Sequence, residues 1–221
     1  KNSISSIQNI SENIASNIIE NISGDKLNGS SIKATVEDIS KISNNIVINP
    51  EFLRENSANE DFINSEIIVF GGEEDNCKKL SNFYENHTNC ICSDYIITDG
   101  ISASLIKYTI NSFLSLKVIF FNEMKSVFDK INLNNDWSDF IEALSKDKRI
   151  GDSHMSVPGP DGRCGFGGPC FPKDVNALIE YSKEIGSELK LLKKANTINN
   201  NIRAQYNDVT AREREQNIKF N

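Results

Sequence analysis

A stretch without proline or glycine, from Ile101 to Ile131, constrains the fold of this chain more than any other feature. Apolar side chains recur along it at spacings of three and four residues, which is the period of one helix face. The stretch therefore predicts one helix of roughly 30 residues, about 45 Å long at the usual rise per residue. Its apolar surface is larger than one short partner covers, so we expect several helices and a second subunit to pack on it.

The residues before this helix show a different pattern of residue types. Short runs of β-branched residues, bounded by polar segments or turn residues, predict strands, and apolar residues at helical spacing predict helices. Strands that alternate with helices indicate a parallel α/β layer. The predicted elements are helices over Ser3–Ile22 and Asp75–Asn86, and strands over Ser31–Val36, Ile46–Ile48, Glu66–Phe70 and Asn89–Cys92.

The residues after the long helix predict further helices separated by one unusual loop. Helices are expected over Trp137–Leu144 and Asp174–Asn200. The loop between them, Gly151–Pro172, holds six glycines and four prolines. The charged segment after Asn207 is expected to be a surface helix or a flexible end.

Composition excludes several classes of function. The net charge of -7 argues against a nucleic acid or an anionic membrane as the main partner. No run of 18 uninterrupted apolar residues occurs, so no membrane span is expected. Five cysteines without CxxC spacing favour reduced thiols and a cytoplasmic location, and two histidines do not suffice for a His-rich metal site.

The segment with the strongest chemical signal is Gly165–Asp174, in which a glycine-rich loop delivers Cys170 to a helix start. A helix N-terminus and the nearby Lys173 both favour the thiolate, which predicts a lowered pKa for the Cys170 thiol. Asp174 follows one turn later, where a carboxylate can orient a water molecule. A buried structural cysteine in a glycine-rich turn is the alternative that the residues alone leave open.

Two other pairs have the i, i+4 spacing that places side chains on one helix face. Lys107 and Asn111 combine a cation and an amide, which suits a developing oxyanion. Glu51 and Glu55 follow a predicted strand, at the edge where α/β folds bind ligands. Considered alone, the first pair is more simply a solvated helix edge and the second a helix cap.

Together these segments resemble the UDP-glucose/GDP-mannose dehydrogenase family, and within it the UDP-glucose branch. NPEFLRENSANEDF (Asn49–Phe62) is similar to the segment after a strand of its nucleotide-binding domain. LIKYTINSFLSLKVIFFNEM (Leu105–Met124) is similar to its central helix, and RIGDSHMSVPGPDGRCGFGGPCFPKD (Arg149–Asp174) to its nucleophile loop. The three segments occur in the family's order, and the resemblance runs from about Ser31 to about Asn201.

The resemblance implies both a fold and an activity. Residues 1–98 would be the C-terminal part of a Rossmann-like NAD-binding domain. Residues 99–207 would be an all-helical central domain that dimerises and carries catalysis, and residues 208–221 a charged tail. The family oxidises the C6 alcohol of a nucleotide sugar to a carboxylate with two NAD⁺. The UDP-glucose branch implies oxidation of UDP-glucose to UDP-glucuronate, and a homodimer is implied.

Residue roles follow from the resemblance position by position. Cys170 would be the nucleophile, Lys107 and Asn111 would steady the C6 oxygen, Asp174 would orient water and Glu51 would be the general base. Thr35 would lie near the nicotinamide and the hydrolytic water. Further contacts are implied with the cofactor for Glu55 and Lys173, and with the sugar nucleotide for Phe52, Leu53, Arg149, Phe166 and Gly167.

The sequence also departs from the family pattern. A glycine-rich dinucleotide fingerprint is absent, Lys33-Ala34-Thr35 replaces the usual serine before the threonine, and no UDP-binding domain follows Asn201. We therefore expect an N-terminally truncated chain with a compact C-terminal end. The open alternatives are a dehydrogenase of GDP-mannose or a UDP-N-acetylhexosamine, and a non-catalytic dimerising fragment that binds nucleotide sugar.

Overall fold

The computed structural model describes residues 46–54, 57–92, 94–131, 134–215 and 217–220. The chain divides into two compact units, residues 1–107 and 108–221, and the division falls inside the long helix. The helix predicted over Ser3–Ile22 and the strand predicted over Ser31–Val36 lie outside the described residues.

The first unit contains a small parallel sheet with helices. Its elements in chain order are α1 (Ala58–Ile63), β1 (Ile68–Gly71), α2 (Glu74–His87), β2 (Tyr95–Thr98) and the start of α3 (Gly100–Ile131). The two strands are parallel, with Ile68 opposite Tyr95 and Gly71 opposite Thr98. The predicted parallel α/β arrangement is therefore confirmed for the described strands.

Two strand predictions in this unit were wrong in detail. The second strand is β2 and not Asn89–Cys92, which is irregular and has Ile91 exposed to solvent. Ile48 forms a single antiparallel bridge with Gly71 instead of a strand. Pro50 explains the short pairing, since proline has no N–H to continue a ladder.

A small core fixes the start of α3 against the end of β1. Phe70 is fully buried, stacks on Tyr95 at 5.8 Å between ring centroids and meets Tyr84 edge-on at 5.3 Å. A Cβ atom at Gly71 would lie 2.5 Å from the Cβ of Ala103, so only glycine permits this approach of strand and helix. Helix α3 therefore begins at the carboxyl edge of the sheet, where α/β folds bind ligands.

The second unit is helical. It contains the remainder of α3, followed by α4 (Trp137–Ser145), α5 (Cys170–Glu184), α6 (Lys190–Arg203) and α7 (Ala211–Glu215). The prediction of one helix over Asp174–Asn200 was wrong, because the chain turns at Gly186, whose φ is +73°. The core of this unit consists of Ile119, Phe166, Val175, Ile179, Leu192 and Ala195.

Helix α3 is long and apolar enough to cross a membrane, judged by length and composition only. The central helix of a soluble protein passes the same test, so this property is weak evidence. The helix also buries polar side chains, namely Asn111, Ser112 and Ser115. The absence of a membrane span stays a prediction.

Candidate active site

Cys170 is the first residue of α5 and is exposed to solvent. All five cysteines lie within the described residues, none is in a disulfide, and the other four are buried or half-buried. The turn before it uses Gly168 at a φ of +73°, a conformation that residues with a Cβ rarely adopt. The alternative of a buried structural cysteine therefore does not fit this position.

A buried hydrogen-bonded cluster lies one turn further along α5. The Asp174 side chain is 3% exposed and accepts a 2.5 Å hydrogen bond from Nδ2 of Asn111. Its other oxygen accepts a 2.7 Å bond from Nζ of Lys173. The structure thus brings together Asn111 and Asp174, which the resemblance assigned to the reaction, and Lys173, which it assigned to the cofactor.

Electrostatics keep Lys173 charged. Burial by itself lowers the pKa of Lys173, but the Asp174 carboxylate outweighs it and raises that pKa above the ordinary value, with smaller contributions from Tyr108 and Cys170. Lys173 is therefore a cation at neutral pH. A cation close to a cysteine favours its thiolate form.

Tyr108 is a member of this cluster that the sequence reasoning missed. Burial raises the pKa of Tyr108, the Asp174 carboxylate raises it further, and Lys173 opposes both. Tyr108 is therefore a neutral phenol at physiological pH. The available signal was its position three residues before Asn111, which places both on one face of α3.

A second cluster lies in the first unit around Lys107. Nζ of Lys107 donates to the backbone oxygen of Glu51 and lies 3.2 Å from Oε1 of the same residue. The same nitrogen lies 5.5 Å from the ring centroid of Phe52. The Leu53 N–H donates a 2.8 Å hydrogen bond to Oε2 of Glu51, which fixes the turn. Residues 56 positions apart in sequence thus meet in one cluster.

Four other predicted site residues belong to neither of these two clusters as the structure describes them. Thr35 and Glu55 lie outside the described residues. Arg149 is exposed and pairs with Asp147 at 2.5 Å. Phe166 is 3% exposed and its ring is part of the core of the second unit.

Two asparagines that the sequence reasoning missed, the half-buried Asn122 and the buried Asn199, hold the loop before Cys170. Oδ1 of Asn122 accepts a 3.0 Å bond from the Gly165 N–H. Asn199 is fully buried and bonds both the N–H and the C=O of Phe166, at 2.7 and 3.0 Å. A Cβ atom at Gly165 would lie 2.6 Å from Oδ1 of Asn199. The loop is therefore shaped by side chains from two helices.

The described residues offer a frame for a nucleotide but no metal centre. Within the described ranges, no group of three His, Cys, Asp or Glu side chains is placed to hold a metal ion. The parallel pair β1–β2, with Gly71 and Thr98 at its carboxyl edge, fits the framework of a dinucleotide-binding domain.

Comparison with known proteins agrees with this geometry. Residues 6–88 match the NAD-binding domain of the UDP-glucose/GDP-mannose dehydrogenase family, and residues 101–201 match the central domain of the same family. A UDP-glucose 6-dehydrogenase of Bacillus subtilis is 34% identical over 76% of this chain and 36% of its own length. One of Rickettsia bellii is 40% identical over 67% of this chain and 32% of its own length.

A solved structure supports the same assignment. The UDP-glucose dehydrogenase of Pyrobaculum islandicum is 34% identical, with a TM-score of 0.59 over 69% of this chain and 33% of that chain. The chain thus spans about a third of the length of the relatives it matches. The chain carries an NAD-binding domain followed by a helical central domain. The predicted fold class and the predicted cofactor, NAD, are therefore confirmed. These matches show that the chain belongs to the UDP-glucose/GDP-mannose dehydrogenase family.

Proposed function

We propose that the full-length protein oxidises the C6 alcohol of UDP-glucose to the carboxylate, with NAD⁺ as the hydride acceptor and Cys170 as the nucleophile. The observation that carries the proposal is the exposed Cys170 at the start of α5, one turn before the buried Asp174 that Asn111 and Lys173 hold. The relatives named above as UDP-glucose 6-dehydrogenases support the choice of sugar nucleotide.

The proposed chemistry has two oxidations and one hydrolysis. Loss of a hydride and a proton converts the C6 alcohol to an aldehyde, and the Cys170 thiolate adds to that carbonyl carbon as a thiohemiacetal. Loss of a second hydride and the hydroxyl proton gives a thioester. Water then adds, the C–S bond breaks, and the carboxylate and the thiol are released. NAD⁺ supplies only the hydride-accepting chemistry in each oxidation.

The chain's own side chains have separate tasks in this scheme. Asp174, held by Asn111, orients the hydrolytic water, while the amide of Asn111 stabilises oxyanions. Lys107 stabilises negative charge on the C6 oxygen, and Glu51 accepts a proton from water. The hydrogen bonds that join Lys107, Glu51 and Leu53 support these two roles, since they hold the Lys107 and Glu51 side chains in place before substrate binds.

A substrate panel tests the proposal. Full-length protein is mixed with NAD⁺ and UDP-glucose, GDP-mannose or a UDP-N-acetylhexosamine, and NADH is followed by its absorbance. UDP-glucose is expected to give two NADH per sugar and the highest kcat/KM. A preference for another sugar nucleotide would refute the substrate, and no NADH with any of them would refute the proposed activity.

Lys107→Met is expected to lower kcat by about 10²-fold with little loss of stability. An oxyanion-stabilising group contributes on the order of 10² to 10³ in rate, whereas an exposed ion pair such as Lys107–Glu51 contributes only about 0.2–1 kcal/mol to folding. Lys125→Met is the matched control, since Lys125 is also on α3, pairs with Asp129 and lies 5.9 Å from the Trp137 ring. Equal kcat in both variants would contradict the role of Lys107.

We also propose a homodimer that forms through α3. Phe113, Phe120 and Val127 are 63%, 55% and 47% exposed, and their spacing of seven residues places them on one face of that helix. An exposed apolar stripe of this kind is typical of an interface. The free state of all five cysteines supports a cytoplasmic location for this dimer.

Phe120→Asp is expected to weaken the dimer at least about 30-fold, because burying a charge at an aromatic contact costs about 2 kcal/mol or more. Phe83→Asp is the control, since Phe83 is 53% exposed on α2 and lies outside the stripe. Sedimentation velocity over a concentration series measures both. A wild-type protein that is monomeric at micromolar concentration would contradict the dimer. Binding of lipid vesicles to this stripe, seen as co-sedimentation, would also contradict it.

A further inference from the structure

A buried ion pair lies beneath the glycine turn that precedes Cys170. Nη2 of Arg203 lies 2.6 Å from Oε1 of Glu213, and these side chains are 1% and 0% exposed. Nη1 of Arg203 lies 2.7 Å from Oδ2 of Asp161, which belongs to the same loop as the turn. Both members of the pair follow the residues that match the family's central domain, 101–201.

The backbone of the turn rests directly on this pair. The Gly168 N–H donates a 3.1 Å hydrogen bond to the Glu213 oxygen that also binds Arg203. A Cβ atom at Gly167 would lie 2.5 Å from that oxygen and 2.6 Å from Cζ of Arg203. The pair therefore contacts the two residues that set the direction of the chain as it enters α5.

Glu213 is placed by a local helix cap. Its N–H donates to Oγ1 of Thr210 at 3.2 Å, and the Thr210 N–H donates to Oε2 of Glu213 at 2.7 Å, which is a reciprocal capping box. Burial acts to raise the pKa of Glu213, but the Thr210 N–H, the Arg203 guanidinium and the Gly168 N–H lower it below its ordinary value. Glu213 is therefore an anion at neutral pH.

Residues 203–213, the segment that contains this pair, also bind the earlier part of the loop. The Cys164 N–H donates a 2.7 Å hydrogen bond to the Tyr206 hydroxyl. Nη2 of Arg163 lies 2.8 Å from Oδ1 of Asp208. The segment thus holds two separated points of the loop, at residues 163–164 and 167–168.

We propose that Arg203, Thr210 and Glu213 form a tail clamp that positions the glycine turn and, through it, the first turn of α5 with Cys170. The inference rests on the proposed function of Cys170 as the nucleophile. A helix N-terminus favours an anion only while its first turn is formed and its N–H groups point at the sulfur. Releasing Gly168 loosens that turn, so the clamp tunes thiolate formation without touching substrate.

The test measures Cys170 alkylation by iodoacetamide against pH on this chain, with peptide mass spectrometry to assign the site. Glu213→Gln removes the charge that Arg203 pairs with and is expected to shift the pH midpoint upward and slow alkylation at pH 7 about 3- to 5-fold. Glu180→Gln is the matched control, since Glu180 forms an exposed pair with Lys183 on α5. It is expected to match the wild type.

A second variant covers the case in which Glu213→Gln does not fold. Thr210→Val removes only the capping hydroxyl, which contributes about 1 kcal/mol, and is expected to give a smaller shift in the same direction. A folded Glu213→Gln or Thr210→Val protein with the wild-type pH midpoint and rate would overturn the clamp. Alkylation needs neither NAD⁺ nor sugar nucleotide, so a failed NADH assay with an intact midpoint shift would count against the proposed function alone.

Discussion

Cys170→Ser in the full-length protein is expected to lower net turnover on the order of 10⁴-fold, while the sugar nucleotide still binds. A serine hydroxyl is a far weaker nucleophile than a thiolate at neutral pH, and an ester is cleaved by water less readily than a thioester. The first hydride transfer needs no thiolate, so a single equivalent of NADH is still expected. Stopped-flow absorbance for NADH and calorimetric titration with UDP-glucose measure the two effects separately.

Cys164→Ser is the matched control for this experiment. Cys164 lies in the same loop, but it is half-buried, and the hydrogen bond it makes to Tyr206 uses its backbone N–H. Its replacement is therefore expected to leave turnover nearly unchanged. In the wild type, iodoacetamide is expected to label Cys170 faster than Cys164, and bound UDP-glucose to protect Cys170. Full turnover by Cys170→Ser, or equal labelling of both thiols, would assign the nucleophile elsewhere.

Asp174→Ala is expected to lower turnover on the order of 10³-fold and to destabilise the second unit by about 3 kcal/mol. The change removes the carboxylate that orients water. It also leaves the buried amide of Asn111 and the cation of Lys173 without the partner that each contacts at 2.5 and 2.7 Å. Urea denaturation measures the stability, and NADH formation measures the turnover.

Asp174→Asn separates the carboxylate's chemical role from its structural role. An asparagine oxygen still accepts a hydrogen bond from Asn111, so the loss of stability is expected to be about 1–2 kcal/mol. Turnover is expected to remain as low as in Asp174→Ala, because a neutral amide activates water poorly. Recovery of turnover in Asp174→Asn together with recovery of stability would show that Asp174 only positions its neighbours.

The elements that the sequence predicted well are those with a strong local signal. The helix over Gly100–Ile131 follows from a long stretch without proline or glycine, and α2 from a simple amphipathic pattern. The break between α5 and α6 was missed because one glycine in a helical pattern is often tolerated, and only the positive φ of Gly186 shows that it ends a helix.

The candidate site was predicted in part, and mainly through family resemblance. The contact of Lys107 with Glu51 joins residues 56 positions apart, and no local spacing predicts such a contact. The buried partners of the loop, Asn199 and Glu213, were missed because each bonds a backbone group that leaves no mark in the sequence. A Thr-x-x-Glu capping box beginning at Thr210 was readable, but it predicts only a helix start.

The most direct test of the account is the mass of the Cys170 peptide during turnover. Full-length wild-type and Asp174→Asn proteins are mixed with UDP-glucose and NAD⁺, quenched in acid within one turnover and digested. A sugar nucleotide bound as a thioester to Cys170 is expected, with more of it in Asp174→Asn, where hydrolysis is slowed. Formation of two NADH per UDP-glucose while the Cys170 peptide stays unmodified in both proteins would contradict covalent catalysis by this residue.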